Sequence, residues 1–378
     1  MNKLNILALE PYYGGSHKAF LDKIASDSPH NWNIMTLPAH KWKWRMMHSA
    51  YTFAEKLQNI ELNNNNQIPD VIFCSDMLNL AEFKGLASKK FASIPCIAYF
   101  HENQLAYPTN YDKKKDRYFG WINITTALAA DSVWFNSEYH KNVFIHEVKL
   151  KIKKAPDQRP KEIIDKILQK SHIVPQGVKQ FPTKTHKING PLKILWAARW
   201  EFDKNPEGFF DAVRIAKNNG ADFRISVLGG GNAKISSEVF AEAEKEFAEI
   251  IDNWGFLESQ EDYEKVLMNS DIVVSTAHHE FFGISVAEAV SAGCFPIVPH
   301  ELAYPEVLQE NSNDIEKISF FFDGSSKHLA EKIIKLSKIH KSGNSIWEGD
   351  NQRGINKISR FYWTHINKTI DNLIHNLI

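Results

Sequence analysis

Cysteine is scarce in this chain of 378 residues: Cys74, Cys96 and Cys294 form an odd set, each inside an apolar run. They read as buried reduced thiols rather than a disulfide framework, which points to the cytoplasm. No Cys/His cluster has the spacing of a structural zinc site. Long apolar runs are missing too, since no stretch approaches the ~20 residues that span a bilayer. The apolar part of Met1-Asn-Lys-Leu-Asn-Ile-Leu-Ala-Leu-Glu10 is too short for a signal peptide and reads as a first strand. There is also no net charge, because 45 Lys and Arg face 45 Asp and Glu. That balance hides a polarity: residues 1–180 hold 24 basic against 17 acidic residues, a surplus of seven that the remainder reverses. A basic first half, with its Lys149-Leu-Lys-Ile-Lys-Lys154 tract, suits a polyanionic partner, although solubility alone accounts for such charges.

The length admits two domains with separate cores. Strand-like runs alternate with helical patterns, as expected of parallel sheets flanked by helices. First-half strands are expected at Leu4–Leu9, Asn33–Leu37, Val71–Ser75, Cys96–Phe100, Val133–Asn136 and His172–Val174. Second-half strands are expected at Lys193–Ala197, Arg224–Leu228, Ile272–Ser275, Phe295–Val298 and Ser319–Phe322. The Asn63–Asn66 run reads as a polar loop. The stretch from Phe181 to Pro191 has the Pro, Gly and polar content of a linker. The expected division is therefore 1–180, 181–354 and a C-terminal helix over 355–378. No internal repeat stands out beyond the similar pattern of the halves.

The most informative segment is His-His-Glu280-Phe-Phe-Gly283-Ile-Ser-Val-Ala-Glu288-Ala-Val-Ser-Ala-Gly293. It follows a strand-like run, turns helical at Gly283 and ends at Gly293. Glu280 then lies in the loop before the helix, and Glu288 about a turn and a half inside it. Between them the helix N-terminus offers free N–H groups and a positive dipole end, a seat for phosphate. A polyhydroxylated ligand carrying a pyrophosphate suits the segment. Two Glu at this spacing are otherwise ordinary surface charges.

About eighty residues earlier, Ile194-Leu-Trp-Ala-Ala-Arg199-Trp-Glu-Phe-Asp-Lys204-Asn-Pro206 runs from a strand into a loop with two cations. Asn205-Pro206 opens the next helix, where proline's missing N–H costs nothing. In the first half, Glu10-Pro-Tyr-Tyr-Gly14-Gly15-Ser16-His17 follows the first strand; its paired glycines permit close backbone approach, and Ser16 can cap the next helix. Lys41-Trp42-Lys43-Trp44-Arg45 interleaves cations with tryptophans. The cations could hold phosphates and the rings stack on bases, or a Trp could pack into the core. His101-Glu102-Asn103-Gln104 sets four polar side chains at a strand end, where open α/β sheets bind ligands.

The spacing of Glu280 and Glu288 resembles the E-x7-E signature of the retaining glycosyltransferases of family 4, and Arg199 with Lys204 resembles their R-x4-K. Lys41 to Arg45, His101 to Gln104, Tyr12-Tyr-Gly14-Gly-Ser-His17, Phe135-Asn-Ser137 and Ala303-Tyr-Pro-Glu306 closely resemble the tRNA-queuosine α-mannosyltransferase family, over most of the chain. The resemblance implies an α/β architecture of the GT-B type, two Rossmann-like parallel-sheet domains facing an interdomain cleft, with the C-terminal helix crossing back to the first domain. It implies transfer of mannose from GDP-mannose to a hydroxyl on the cyclopentene ring of queuosine in a tRNA anticodon, without a metal or other cofactor. By the same resemblance His101, Glu280, Arg199 and Lys204 are catalytic. Gly14, Gly15, Gly230, Phe282, Gly283, Ile284 and Glu288 join the last three at the donor. His17, Lys41, Trp42, Lys43, Trp44, Arg45, Glu102, Asn103 and Gln104 meet the tRNA. The Gly229-Gly-Gly231 and Trp254-Gly255-Phe256-Leu257 segments resemble loops beside the nucleotide base. A family relative acting on another acceptor, a silent RNA-binding relative and a nucleotide-sugar epimerase of similar fold are the alternatives. The sequence leaves the donor sugar and the oligomeric state open.

Overall fold

A computed structural model describes residues 3–62, 68–108, 117–182, 190–230, 234–309, 318–350 and 352–378. The Asn63–Asn66 run, residues 183–189 of the expected linker, and Gly231 lie outside the described residues. The described chain forms two compact units: one up to Gly177 together with Thr364–Ile378, the other Val178–Trp363.

The first unit is built on β1 (Asn5–Tyr13), β2 (Asn31–Pro38), β3 (Val71–Ser75), β4 (Cys96–Phe100), β5 (Ser132–Phe135) and β6 (Ser171–Ile173). All neighbours pair parallel in the order β2-β1-β3-β4-β5-β6. β3 and β4 are buried along their whole length, which is why both read as unbroken apolar runs. β2 lies at the edge, is half exposed and ends at Pro38, whose missing N–H is tolerable there. Helices cover the sheet, and Phe53, Phe83, Phe100, Phe135 and Phe144 fill a core of buried residues.

The second unit uses β7 (Leu192–Ala197), β8 (Phe223–Leu228), β9 (Ile251–Gly255), β10 (Ile272–Val274), β11 (Phe295–Pro299) and β12 (Phe321–Phe322). Again all neighbours are parallel, in the order β12-β11-β10-β7-β8-β9. β9 has no counterpart among the expected strands. Its sequence Ile-Asp-Asn-Trp-Gly carries two polar residues in five, which an edge strand tolerates because one side faces solvent.

The expected C-terminal helix is broken. Arg353–Ile358 is helical, Ser359–Phe361 is a 3-10 turn, and Trp363–His375 is a separate helix. The break falls at Tyr362, extended at φ −61° and ψ 142° and bridged to Val178. The last helix buries Ile366, Ile370 and Ile374, one face at helical spacing. In the first unit it meets Asp27 through Asn367 (3.1 Å). Among the described residues no helix is long and apolar enough to cross a membrane.

Candidate functional site

In the second unit the chain winds outward from β7 through β8 to β9, then returns to β10 on the other side of β7. Open α/β sheets bind ligands outside the carboxyl ends of the strands at such a reversal. The loop after β7 carries Arg199 and Lys204, and the loop after β10 carries Glu280. Hydrogen bonds knit the two loops together. Thr276 Oγ1 lies 2.9 Å from the carbonyls of both Lys204 and Asn205, and the His278 N–H donates to Asp203 O at 2.8 Å.

Lys204 is buried, and its ammonium donates to His279 O (2.7 Å) and Glu280 Oε2 (3.3 Å), with Asp203 Oδ2 also 3.3 Å away. Burial alone would depress this amine, but the carboxylates of Glu280 and Asp203 raise it, so it stays charged. Burial would likewise push Glu280 up. Lys204 overrides that, and the N–H groups of Phe281 and Phe282 reach Oε1 (3.1 and 3.5 Å), so the carboxyl sits below its ordinary range. Arg199 is exposed, its Nη1 3.6 Å from Glu201 Oε1. The expected helix opening is present next to it: Asn205 accepts from the Gly208 N–H (3.1 Å) and Pro206 is the first helical residue.

Gly283 precedes the helix Ile284–Ser291 at φ +85°, and an added Cβ would lie 2.7 Å from the Tyr304 ring. Only glycine meets both conditions. Tyr304 is fixed by a 2.7 Å bond to Ser275 Oγ, and Ser285 Oγ donates to Ala197 O at 2.8 Å, tying the helix start to the end of β7. Inside the helix, Glu288 accepts from Tyr263 Oη (3.0 Å), and burial pushes its carboxyl up to about 7. The glycine loop after β8 adjoins the Arg199 loop. Gly229, at φ +138°, would place a Cβ 1.9 Å from Ala198 O, and the Trp200 N–H donates to Gly230 O at 3.1 Å. Trp200 stacks on Phe240 with centroids 4.0 Å apart and meets Trp254 edge-on.

The first unit has its own reversal, between β1 and β3. A bulge between Glu10 and Tyr13 interrupts the β1–β2 register. Bulges beside sites re-aim side chains, and here Glu10 Oε1 accepts from the Tyr12 N–H (2.7 Å) and Ser75 Oγ (3.0 Å). Its other oxygen lies 3.3 Å from His17 Nδ1. Burial works against a charged His17, yet Glu10 outweighs it and raises the imidazole to about 9. The His17 ring stacks on His101 with centroids 3.9 Å apart. Burial and the His17 charge hold His101 well below its ordinary value, hence neutral. Its backbone N–H donates to Asp76 Oδ1 (2.9 Å), its carbonyl accepts from Asn136 (2.9 Å), and its Nδ1 meets Gln176 Nε2 (3.2 Å). Burial drives Asp76 upward against the pull of His17. Glu10, His17 and His101 each bring one atom within 4.8 Å of the others, a grouping able to hold a cation, although an imidazolium between carboxylates already balances it.

Residues 5–178 match the family model described as tRNA-queuosine alpha-mannosyltransferase N-terminal, and residues 178–349 match glycosyl transferases group 1. A tRNA-queuosine alpha-mannosyltransferase of Drosophila melanogaster is 35% identical over 337 residues, 85% of this chain and 87% of that protein. The chain belongs to the tRNA-queuosine alpha-mannosyltransferase family. It is a glycosyltransferase, and its solved neighbours give the GT-B fold. Anabaena HepE in complex with UDP aligns at TM-score 0.66 and 15% identity over 99% of this chain and 100% of that one. Sucrose-phosphate synthase from Thermosynechococcus elongatus aligns at 0.70 and 12% over 100% and 99%.

On this member of the tRNA-queuosine alpha-mannosyltransferase family, several expected site residues have partners within the fold. Arg45 is buried, and its guanidinium meets Pro38 O (3.0 Å), His48 (2.9 Å) and His40 (3.1 Å). Asn103 is buried, its Oδ1 accepting the N–H groups of Leu105 and Ala106 in a turn. Gln104 is buried as well and donates to Glu102 Oε1 (3.0 Å), which leaves Glu102 the most accessible of the three. Ser16 caps nothing: the cap position is Gly14, and Ser16 is exposed inside the helix Gly15–Asp27. Gly14 is required because a Cβ would lie 2.4 Å from Ala39 Cβ, and Gly15 by its φ of +52°. The tryptophans divide. Trp42, half-buried, packs against Phe119 (5.1 Å), whereas Trp44 is 54% exposed. Lys41 and Lys43 are exposed. Glu10, Asp76, Gln176, Tyr263 and Tyr304 were not anticipated as site residues. A carboxylate inside the apolar run before Pro11, and another straight after Ser75, were the signals for the first two.

Proposed function

We propose that this enzyme moves mannose from GDP-mannose to a cyclopentene hydroxyl of queuosine in a tRNA anticodon, with retention at the anomeric carbon. The observation that carries the donor half is the pairing of Lys204 with Glu280 in the loops beside the Gly283 helix start, at the reversal of the second sheet. Arg199, Lys204 and the first N–H groups of the helix Ile284–Ser291 face a pyrophosphate's charge. Phe282 and Ile284 flank that helix start. Glu288 accepts ribose hydroxyls, and Glu280, kept ionised by Lys204, accepts those of the sugar. The loop carrying Gly230 lies beside the base.

The bond from the anomeric carbon to the β-phosphate oxygen breaks with its electron pair going to phosphate. The acceptor oxygen attacks the same face and its proton passes to the departing phosphate oxygen. The two cations neutralise the charge that grows there. The route assigns no carboxylate nucleophile and needs no metal ion. On the first unit, neutral His101, set by Asp76, Asn136 and Gln176, meets an acceptor hydroxyl, with His17 and Glu102 beside it. Lys41, Lys43 and Trp44 are exposed for phosphates and bases. The three buried thiols suit a reducing cytoplasm.

Incubation with GDP-mannose and queuosine-containing tRNA should release GDP and add one hexose to the queuosine nucleoside by mass spectrometry. GDP release without nucleoside modification would reject the acceptor. Turnover only with another nucleotide sugar would reject the donor.

A further inference from the structure

The helix Arg117–Ala129 has two aromatic faces and needs one of them for the fold. Phe119 and Ile122, each 3% exposed, join Met46 and Met77 in a small core against which Trp42 packs. Tyr118 and Trp121, three residues apart and so on one face, are 52% and 44% exposed. Lys151, near the end of the helix Glu138–Lys153, holds its Nζ 6.0 Å from the centre of the Trp121 ring. On the core side of the helix Arg117–Ala129, Lys43 holds its Nζ 5.6 Å from the centre of the Trp42 ring and 5.4 Å from that of Phe119. Lys149, Lys153 and Lys154 are exposed around the end of the second helix.

We propose that Tyr118, Trp121 and Lys151 form a second RNA-docking surface, on a different helix from Trp44, which stacks an unpaired base of the acceptor tRNA and holds its backbone. The inference rests on the reading that the acceptor is a tRNA. An exposed tryptophan with an ammonium group over its ring, and an exposed tyrosine on the same face, match the chemistry of a single-stranded nucleic acid, a π-face and a phosphate per nucleotide. Charge complementarity favours that occupant, since the surplus of seven basic residues falls in the first 180. The core gives no reason for the exposure, because this helix meets it through Phe119, Ile122, Ile124 and Ala127.

The test is equilibrium binding of queuosine-containing tRNA to the full-length protein across a salt series, with Trp121→Ala, Trp121→Phe, Tyr118→Ala and Lys151→Gln. Loss of one stacking contact should weaken Kd by about five- to a hundredfold in Trp121→Ala, with Trp121→Phe retaining most of the affinity. Lys151→Gln should flatten the slope of log Kd against log salt by about 0.7–0.9. Melting temperatures should stay near the wild-type value, as the face is outside the core. Wild-type protein that binds no tRNA removes the acceptor assignment and this surface together. Wild-type binding matched by all four variants, with equal salt slopes, removes the surface alone. Concentration-dependent self-association lost in Trp121→Ala, with tRNA binding untouched, would assign the face to a second copy of the chain and overturn the proposal.

Discussion

Glu288→Gln should make the protein more stable at neutral pH and leave it unchanged in acid. The carboxyl is pushed up by burial to about 7 from its ordinary 4.5. Between those values the folded protein keeps a proton that the unfolded chain has released, so stability falls as pH rises and levels off above about 7. At about 1.4 kcal/mol per unit, the full interval amounts to about 3 kcal/mol, an upper figure because the side chain is partly reached by solvent. Glutamine keeps an acceptor for Tyr263 Oη and cannot ionise. Urea denaturation of both proteins from about pH 4.5 to about pH 8 isolates the effect, because every other titrating group cancels in the difference. The stability gap should open with rising pH and then hold constant. Parallel curves would mean that Glu288 ionises at its ordinary value, and the argument from burial would fail. The same shift predicts proton release when nucleotide binds near pH 6.5, since ribose hydroxyls donating to Glu288 favour its ionised form. Calorimetry in two buffers of different ionisation enthalpy reads that proton, and Glu288→Gln should lose it.

Lys204→Met leaves Asp203 and Glu280 without the cation between them, a loss of about 3–5 kcal/mol for a broken buried pair. The deficit should shrink in acid as Glu280 protonates, and a melting temperature equal to wild type at about pH 8 would refute the pairing. Gly283→Ala imposes a left-handed φ on alanine, about 1 kcal/mol or more, and drives its Cβ toward Tyr304. It should lower both melting temperature and nucleotide affinity; full nucleotide affinity would detach the helix start from the donor. Trp42→Ala should cost stability through lost packing on Phe119, whereas Trp44→Ala should leave melting unchanged and weaken tRNA binding. Native protein should resist thiol reagents, because Cys74 and Cys96 are buried and burial raises both thiols. Rapid labelling before unfolding would contradict that.

The loops carrying Arg199 and Glu280 were legible as turns between strand and helix because each carries backbone punctuation. Gly283 and Gly293 bracket one helix and Asn205-Pro206 opens another, and these are local requirements of φ and of missing N–H groups. Strand positions were legible wherever both faces are buried, as in β3 and β4, and failed at β9, whose open edge admits Asp252 and Asn253. Tryptophans two residues apart read as one motif, but the helix starting at Trp42 turns them to different sides, one onto Phe119 and one outward. The bonds from Arg45 to Pro38 O and from the Leu105 N–H to Asn103 Oδ1 were not legible, because nothing local in the sequence shows them.

The residues hardest to read are those whose partners lie on other strands. Glu10 meets Ser75 across 65 positions, His101 meets Asp76 across 25 and Gln176 across 75. Those separations are set by a parallel sheet in which β1, β3 and β4 lie side by side, so their carboxyl ends deliver side chains to one place from distant parts of the chain. Burial there raises the energy of every unpaired charge, and the imidazolium of His17 forms because Glu10 is already fixed by two donors. His101 is held neutral first by its burial and then by the charge of His17 beside it. Glu10→Gln should therefore lower the His17 pKa and raise that of His101 only in part, because the burial of His101 remains, a pair of shifts that imidazole NMR would resolve. If His17 stayed protonated in that variant, the order of causes in the cluster would be wrong.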